Sequence, residues 1–252
     1  MTESEACRST KARRIKVEKN GPYHVEGDVP LVVKTQVVSE LGEPLTWQKN
    51  GEIAVSQEGY ALCRCGKTGN PPFCDGSHRH GFDGSEAAPT GPTSERGFQL
   101  PSGTGIHVGK DPVLCNLSGY CIMRSAAIHQ LMGKTADTQI RALVMAMVER
   151  CPSGALTFSV ERRGPDIEPD LPVQVATTTE ITTDGPIAGP LWVTGGIPVE
   201  RSDGEPLETR NRVTLCACGH SKCKPLCDGT HRGREQSEAR RKRVLGRLFK
   251  GR

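Results

Sequence analysis

The chain reads as an α+β protein: a mainly β module built from two half-repeats, with an α+β segment inserted between them. Three observations lead there. Glycine and proline are abundant, 29 and 18 of 252 residues, which favours turns and short strands over long helices. One cysteine-rich stretch occurs twice, beginning at Cys63 and again at Cys216, too far apart and too few times for a solenoid. Between the copies, Thr138 to Arg150 carries Ile140, Leu143, Val144 and Met147 at helical spacing, and Asp137 is placed to cap its start. The longest apolar run, Ala142 to Val148, is far too short to span a bilayer.

Charge divides the chain. Net charge is +4, yet Arg232 to Arg252 holds nine basic residues against Glu235 and Glu238, and residues 1–19 hold six basic against three acidic. The body between them is acidic, which suits docking to a basic reductase surface. The basic tails read as solubilising, with one short basic helix over Glu238 to Phe249. They lack the interleaved aromatic residues of a single-strand binder, so no nucleic-acid partner is expected. Met1 to Ser4 is polar, with no apolar stretch before a cleavage site, so neither a secretory signal nor a membrane anchor is expected and the localisation read is cytoplasmic. In a reducing compartment cysteines serve more often as ligands than as disulfides, and the odd count of 11 forbids complete pairing.

The repeated stretch carries the chemistry. Its first copy places Cys63, Cys65, Thr68, Pro72, Cys74, Asp75, Gly76, Ser77 and His78 at the spacing at which the second places Cys216, Cys218, Ser221, Pro225, Cys227, Asp228, Gly229, Thr230 and His231. A bend at Gly66 can bring Cys63 and Cys65 to one metal. Cys74 and His78, at i and i+4, share a face if a helical turn forms, aimed at a second metal. Asp75 and Asp228 can cap free amides at the start of that turn, while Gly76 and Gly229 allow close backbone approach. Three cysteines and a histidine are also a structural zinc set, although C-x-C is tighter than the usual zinc knuckle.

These residues resemble the CDGSH iron–sulfur (mitoNEET-like) family. The resemblance implies one [2Fe–2S] cluster on Cys63, Cys65, Cys74 and His78, and another on Cys216, Cys218, Cys227 and His231. It also implies that the two copies form an intramolecular pseudo-dimer. Cys223 answers Asn70 in the first copy and is read as a spare thiol; Cys7, in the charged N-terminal tail, is the other cysteine left over.

In the middle, Cys115 and Cys121 stand as the first and third cysteines of the bacterial ferredoxin run C-x2-C-x2-C-x3-C-P, with a distant Cys151-Pro152, and the segment resembles the divergent single-cluster ferredoxins. Ser118 stands where the middle cysteine of that run would be. Three thiolates imply a [3Fe–4S] cluster, or a [4Fe–4S] cluster if Ser118 or solvent supplies the fourth ligand. Three buried structural cysteines are the plainer alternative. The expected organisation is a basic tail over 1–18, a first repeat domain over 19–84, a linker over 85–100, a ferredoxin-like domain over 101–184, a second repeat domain over 185–232 and a basic tail over 233–252.

No nucleophile elbow, phosphate-cradling loop or HExxH is present. The chain is therefore expected to serve enzymes rather than to be one. Its partner would be a reductase or other oxidoreductase in one-electron transfer, or an apo-acceptor if it carries clusters instead.

Overall fold

The computed structural model describes residues 12–233. Cys7 and the basic helix expected over Glu238 to Phe249 lie outside them. The fold is mainly β with few helices. In chain order come β1 (Arg14–Val17), β2 (Tyr23–Glu26), β3 (Leu31–Val38), β4 (Pro44–Ile53) and β5 (Gly59–Leu62). Then follow α1 (Thr93–Arg96), β6 (Phe98–Gln99), β7 (His107–Lys110), α2 (Ile128–Met132), α3 (Thr138–Glu149) and β8 (Leu156–Ser159). The last strands are β9 (Gln174–Thr182), β10 (Gly185–Thr194), β11 (Val199–Glu200) and β12 (Arg212–Leu215). No helix among the described residues is long and apolar enough to cross a membrane.

The two halves follow one plan. In the first, β2 lies antiparallel between β1 and β5, with Tyr23 opposite Val17 and Leu62. In the second, β10 lies between β9 and β12, with Leu191 opposite Thr177 and Leu215. Each sheet then accepts a parallel strand from the other half: β11 beside β1, Val199 opposite Ile15, and β3 beside β9, Leu31 opposite Val175. The sheet orders are β11-β1-β2-β5 and β12-β10-β9-β3-β4. Each half thus completes the other's sheet. One buried cluster runs through both halves and into the inserted segment, from Ile15, Tyr23 and Leu62 through Leu191, Leu215 and Leu226 to Val144, Met147 and Phe158.

The inserted segment is a small sheet, β6-β7-β8, with α3 packed on β8 and α2 packed on α3. Asp137 caps α3 by accepting from the amides of Gln139 and Ile140. Val144, Met147 and Val148 are buried, and Ile140 and Leu143 pack against them. A second, smaller core joins this segment to the second sheet. There Trp47 lies 5.6 Å from Trp192 and 6.0 Å from Tyr120, ring to ring.

Three expected boundaries move. Arg14–Val17 is a strand rather than tail, because Ile15 and Val17 alternate inward while Arg14 and Lys16 pair outside with Glu26. β9 belongs to the sheet of the second half, so that half begins before residue 185. Residues 85–100 are not a free linker. Buried Glu86 pairs with buried Arg64 at 3.1 Å, the amides of Ala87 and Ala88 bond the Lys224 carbonyl, and α1 and β6 lie within the segment.

Candidate metal centres

Both copies of the motif fold alike. Backbone bonds from Cys63 N to the Pro72 carbonyl (2.8 Å) and from Cys74 N to the Ala61 carbonyl (3.0 Å) are repeated from Cys216 to Pro225 (2.8 Å) and from Cys227 to Thr214 (2.9 Å). The peptide bonds before Pro72 and Pro225 are both cis. Asp75 accepts from the amides of Gly69 (2.7 Å) and Ser77 (3.0 Å), and Asp228 accepts from those of Lys222 (2.9 Å) and Thr230 (3.0 Å). Each carboxylate ties the loop before the third cysteine to the turn after it. The Asp75 amide bonds, first from Ser77 and then from Gly69, hold its carboxyl far below the ordinary range.

The cysteine–histidine pairing forms without the expected i,i+4 helical turn. Gly76 (φ 90°) and Gly229 (φ 84°) are left-handed, and a 3-10 turn begins only after them, at Ser77–Arg79 and Thr230–Arg232. A side chain at either glycine would be strained. Close backbone approach holds for Gly229, where an added Cβ would lie 2.8 Å from the Asn116 carbonyl, but not for Gly76, whose nearest neighbour is Arg79 at 3.9 Å.

The donors come together two by two. Cys63 and Cys65 place their sulfurs 3.7 Å apart, and Cys216 and Cys218 3.8 Å apart. Cys74 Sγ is 3.3 Å from His78 Nδ1, and Cys227 Sγ is 3.4 Å from His231 Nδ1. Two thiolates on one tetrahedral metal, each bonded at about 2.3 Å, would sit about 3.8 Å apart, and a thiolate–imidazole pair slightly closer. Each pair therefore has the bite of one metal atom. Among the described residues no three histidine, cysteine or acidic side chains gather around a single ion.

Burial sets the state of the thiols. It pushes Cys227 well up, against the backbone N–H of Gly229, and pushes Cys65 up, against that of Lys67. Cys216 is lowered to about 6, first by its bond with Cys218 and then, against burial, by the amides of Ser221, Gly219 and Cys218. Its partner Cys218 is raised in turn, because the proton of the pair stays there. A metal replaces that proton, so loading releases acid.

The two motifs face each other. An added Cβ at Gly66 (φ 71°) would fall 2.7 Å from the Cys218 carbonyl, and one at Gly219 (φ 78°) 2.5 Å from the Cys65 carbonyl. Tyr23 of the first half, fully buried, donates to the carbonyls of Cys216 (2.8 Å) and Pro225 (3.1 Å) in the second motif. Buried Arg64, between Cys63 and Cys65, packs over the Tyr23 and Phe82 rings and donates to the Gly84 carbonyl. Glu180 on β9, fully buried, meets His231 Nε2 at 3.0 Å. Sequence patterns did not single out Tyr23, Arg64 or Glu180 as part of a site. In sequence Glu180 stands out as the one charged residue of its Thr-rich strand.

The middle residues lie nearby. Cys115 ends a 3-10 turn, Pro112–Leu114, capped by Asp111, and Ser118 and Cys121 follow on one loop. Leu117 (φ 60°) and Gly119 (φ 91°) flank Ser118 in left-handed conformations, and Ser118 is buried. Cys151 is buried just past α3, and Cys115 and Cys121 pack against the same core. Gln36 on β3 donates to the Ser118 carbonyl (3.4 Å) and accepts from the Ile181 amide on β9 (3.1 Å). The Gly229 loop rests on Asn116 and Leu117, so the middle loop abuts the second motif. Cys223 is half-buried and packs against the core.

Comparison with known families follows the same division. Residues 20–79 and 188–232 match the family model of the iron-binding zinc finger of CDGSH type. Residues 102–161 match that of the divergent 4Fe-4S mono-cluster. Neither the curated proteins nor the solved structures include a match. The chain thus carries two CDGSH-type iron-binding segments with a divergent mono-cluster 4Fe–4S segment between them.

Proposed function

We propose that this is a multi-cluster iron–sulfur protein acting in one-electron transfer. One [2Fe–2S] cluster would be held by Cys63, Cys65, Cys74 and His78, and a second by Cys216, Cys218, Cys227 and His231. The observation that carries the reading is the pairing of donors: two separate one-metal bites in each motif suit a two-iron cluster better than one zinc ion. The reciprocal approach of Gly66 and Gly219, with the exchange of β3 and β11, supports an intramolecular pseudo-dimer. Cys115, Cys121 and Cys151 would hold a third cluster, [4Fe–4S] if Ser118 or solvent completes it and [3Fe–4S] otherwise.

Bound clusters supply reversible one-electron chemistry, with potentials set by ligand type, hydrogen bonds to sulfur and exposure. The chain's own residues orient the ligands: the Asp75 and Asp228 loops, the amides aimed at the thiolates, and Tyr23. Reduced thiolates suit a reducing compartment such as the cytoplasm, and a reductase or other oxidoreductase would be the partner. Low-temperature electron paramagnetic resonance of the dithionite-reduced protein tests the reading. Signals with nitrogen coupling, lost only in part when either Cys74 or Cys227 is changed to Ser, are expected. A reduced protein silent in every preparation would overturn it.

A further inference from the structure

The two motifs share their fold, but their histidines stand in different surroundings. Resting on the two-cluster reading above, we propose that Glu180 is a positioning residue for His231, and that it makes the second site the retentive one and the first the one that loses its cluster readily.

At the second site His231 turns Nδ1 toward Cys227 and Nε2 toward Glu180 Oε2, 3.0 Å away. The same carboxylate oxygen lies 2.5 Å from Arg232 Nη2. Side-chain exposure is 3% for His231, 9% for Arg232 and 0% for Glu180, so the triad is shut away from water. A neutral imidazole has one N–H. With Nδ1 given to a metal, that hydrogen sits on Nε2, where the carboxylate accepts it and fixes both tautomer and ring plane.

The position of Glu180 also looks built for the contact. Among the described residues its second oxygen, Oε1, is buried without a hydrogen-bond partner, a costly state for a carboxylate. Gly189 on the facing strand leaves the room: an added Cβ there would come 3.1 Å from Glu180 Cγ and 2.4 Å from Thr178 Oγ1.

The first half has no equivalent segment. Its β1–β2 connection closes at once, Gly21 N bonding the Glu18 carbonyl at 3.0 Å. The β9–β10 hairpin instead runs on past a register break between Ala188 and Leu191, and Glu180 lies in that extension, paired with Ile187. His78 is half-buried, and among the described residues no side chain bonds its Nε2.

The test follows visible absorbance of the full-length loaded protein in excess EDTA at one pH and temperature. Cys74→Ser and Cys227→Ser assign the phases: the fast phase should vanish in the first variant and the slow phase in the second. Glu180→Ala should then speed the slow phase roughly 10–100-fold. Glu180→Gln, whose amide oxygen still accepts from Nε2, should speed it less; this isosteric change also keeps the test open if the alanine variant does not fold. The fast phase should not move, while the nitrogen coupling of the second cluster's resonance signal should change. An unchanged slow phase in both variants, equal acceleration of both phases, or a fast phase belonging to the second site would overturn the proposal. A wild-type protein with no phase sensitive to Cys74 or Cys227 would instead sink the cluster reading beneath it.

Discussion

At the scale of single residues, the second motif depends on the first half of the chain. Tyr23 reaches across to the carbonyls of Cys216 and Pro225, and burial pushes its phenol well above the ordinary value, so it stays a donor at any working pH. Tyr23→Phe keeps the ring and leaves the Cys216 carbonyl without that donor, at a cost of about 1–3 kcal/mol. Thermal unfolding should show that loss. Chelation should remove iron faster from the second motif, although the substitution lies in the first half; loss from the first motif alone would contradict this. The paired cysteines and histidines were legible because C-x-C and C-D-G-[ST]-H repeat at fixed spacing. Tyr23 was not, since its counterpart is Leu191 and the phenol's role is defined by a partner almost two hundred positions away.

At the scale of elements, the two motif loops are pressed together through glycines. Gly219→Ala would drive a methyl group into the Cys65 carbonyl, and Gly66→Ala one into that of Cys218. Either should cost iron at both motifs, whereas Cys65→Ser should cost it at one; iron analysis of the three variants separates the cases. The segment before the insert is held by Glu208, which accepts from the Thr93 amide (3.1 Å) and hydroxyl (2.6 Å) beside Arg210. Burial raises the Glu208 carboxyl, but the Thr93 bonds and Arg210 bring it below the ordinary range. Because the folded value is lowered, the stabilisation is full above the unfolded value and fades as pH falls through the folded one. Hydrogen-exchange protection of Thr93–Arg96 should therefore hold from pH 8 to 5 and weaken below about pH 4. Glu208→Gln should show the weakening already at neutral pH.

Element legibility followed pattern strength. α3 was visible because Asp137 and a 3.6-residue apolar period agree. β1 hid behind its arginine and lysine residues, whose charge masks the alternation of Ile15 and Val17. β9 hid in a threonine run, and its parallel pairing with β3 is a long-range contact that local pattern does not carry.

At the scale of the molecule, the exchange of β3 and β11 means that neither half has a complete sheet of its own. Fragments 1–100 and 101–252, made separately, should give no coloured monomer, and making them together should restore colour; a monomeric coloured fragment would contradict the exchange. The half-repeat plan was legible from the paired motifs, but the depth of the interlock was not, because strand exchange leaves no local signature. The inserted segment is no detached appendage either, since the loop 115–121 is gripped by Gln36, Trp47 and the Gly229 turn. The three cysteine-bearing segments thereby belong to one body.

The central claim is that paired donors hold two-iron clusters. Its most direct test is the visible spectrum of anaerobically purified protein, with iron, sulfide and zinc measured on the same sample. The account predicts a coloured protein with about seven or eight iron and matching sulfide, the count of two two-iron clusters plus a three- or four-iron cluster. A colourless protein with about two zinc and no sulfide would contradict it, since d¹⁰ zinc gives no visible charge-transfer band.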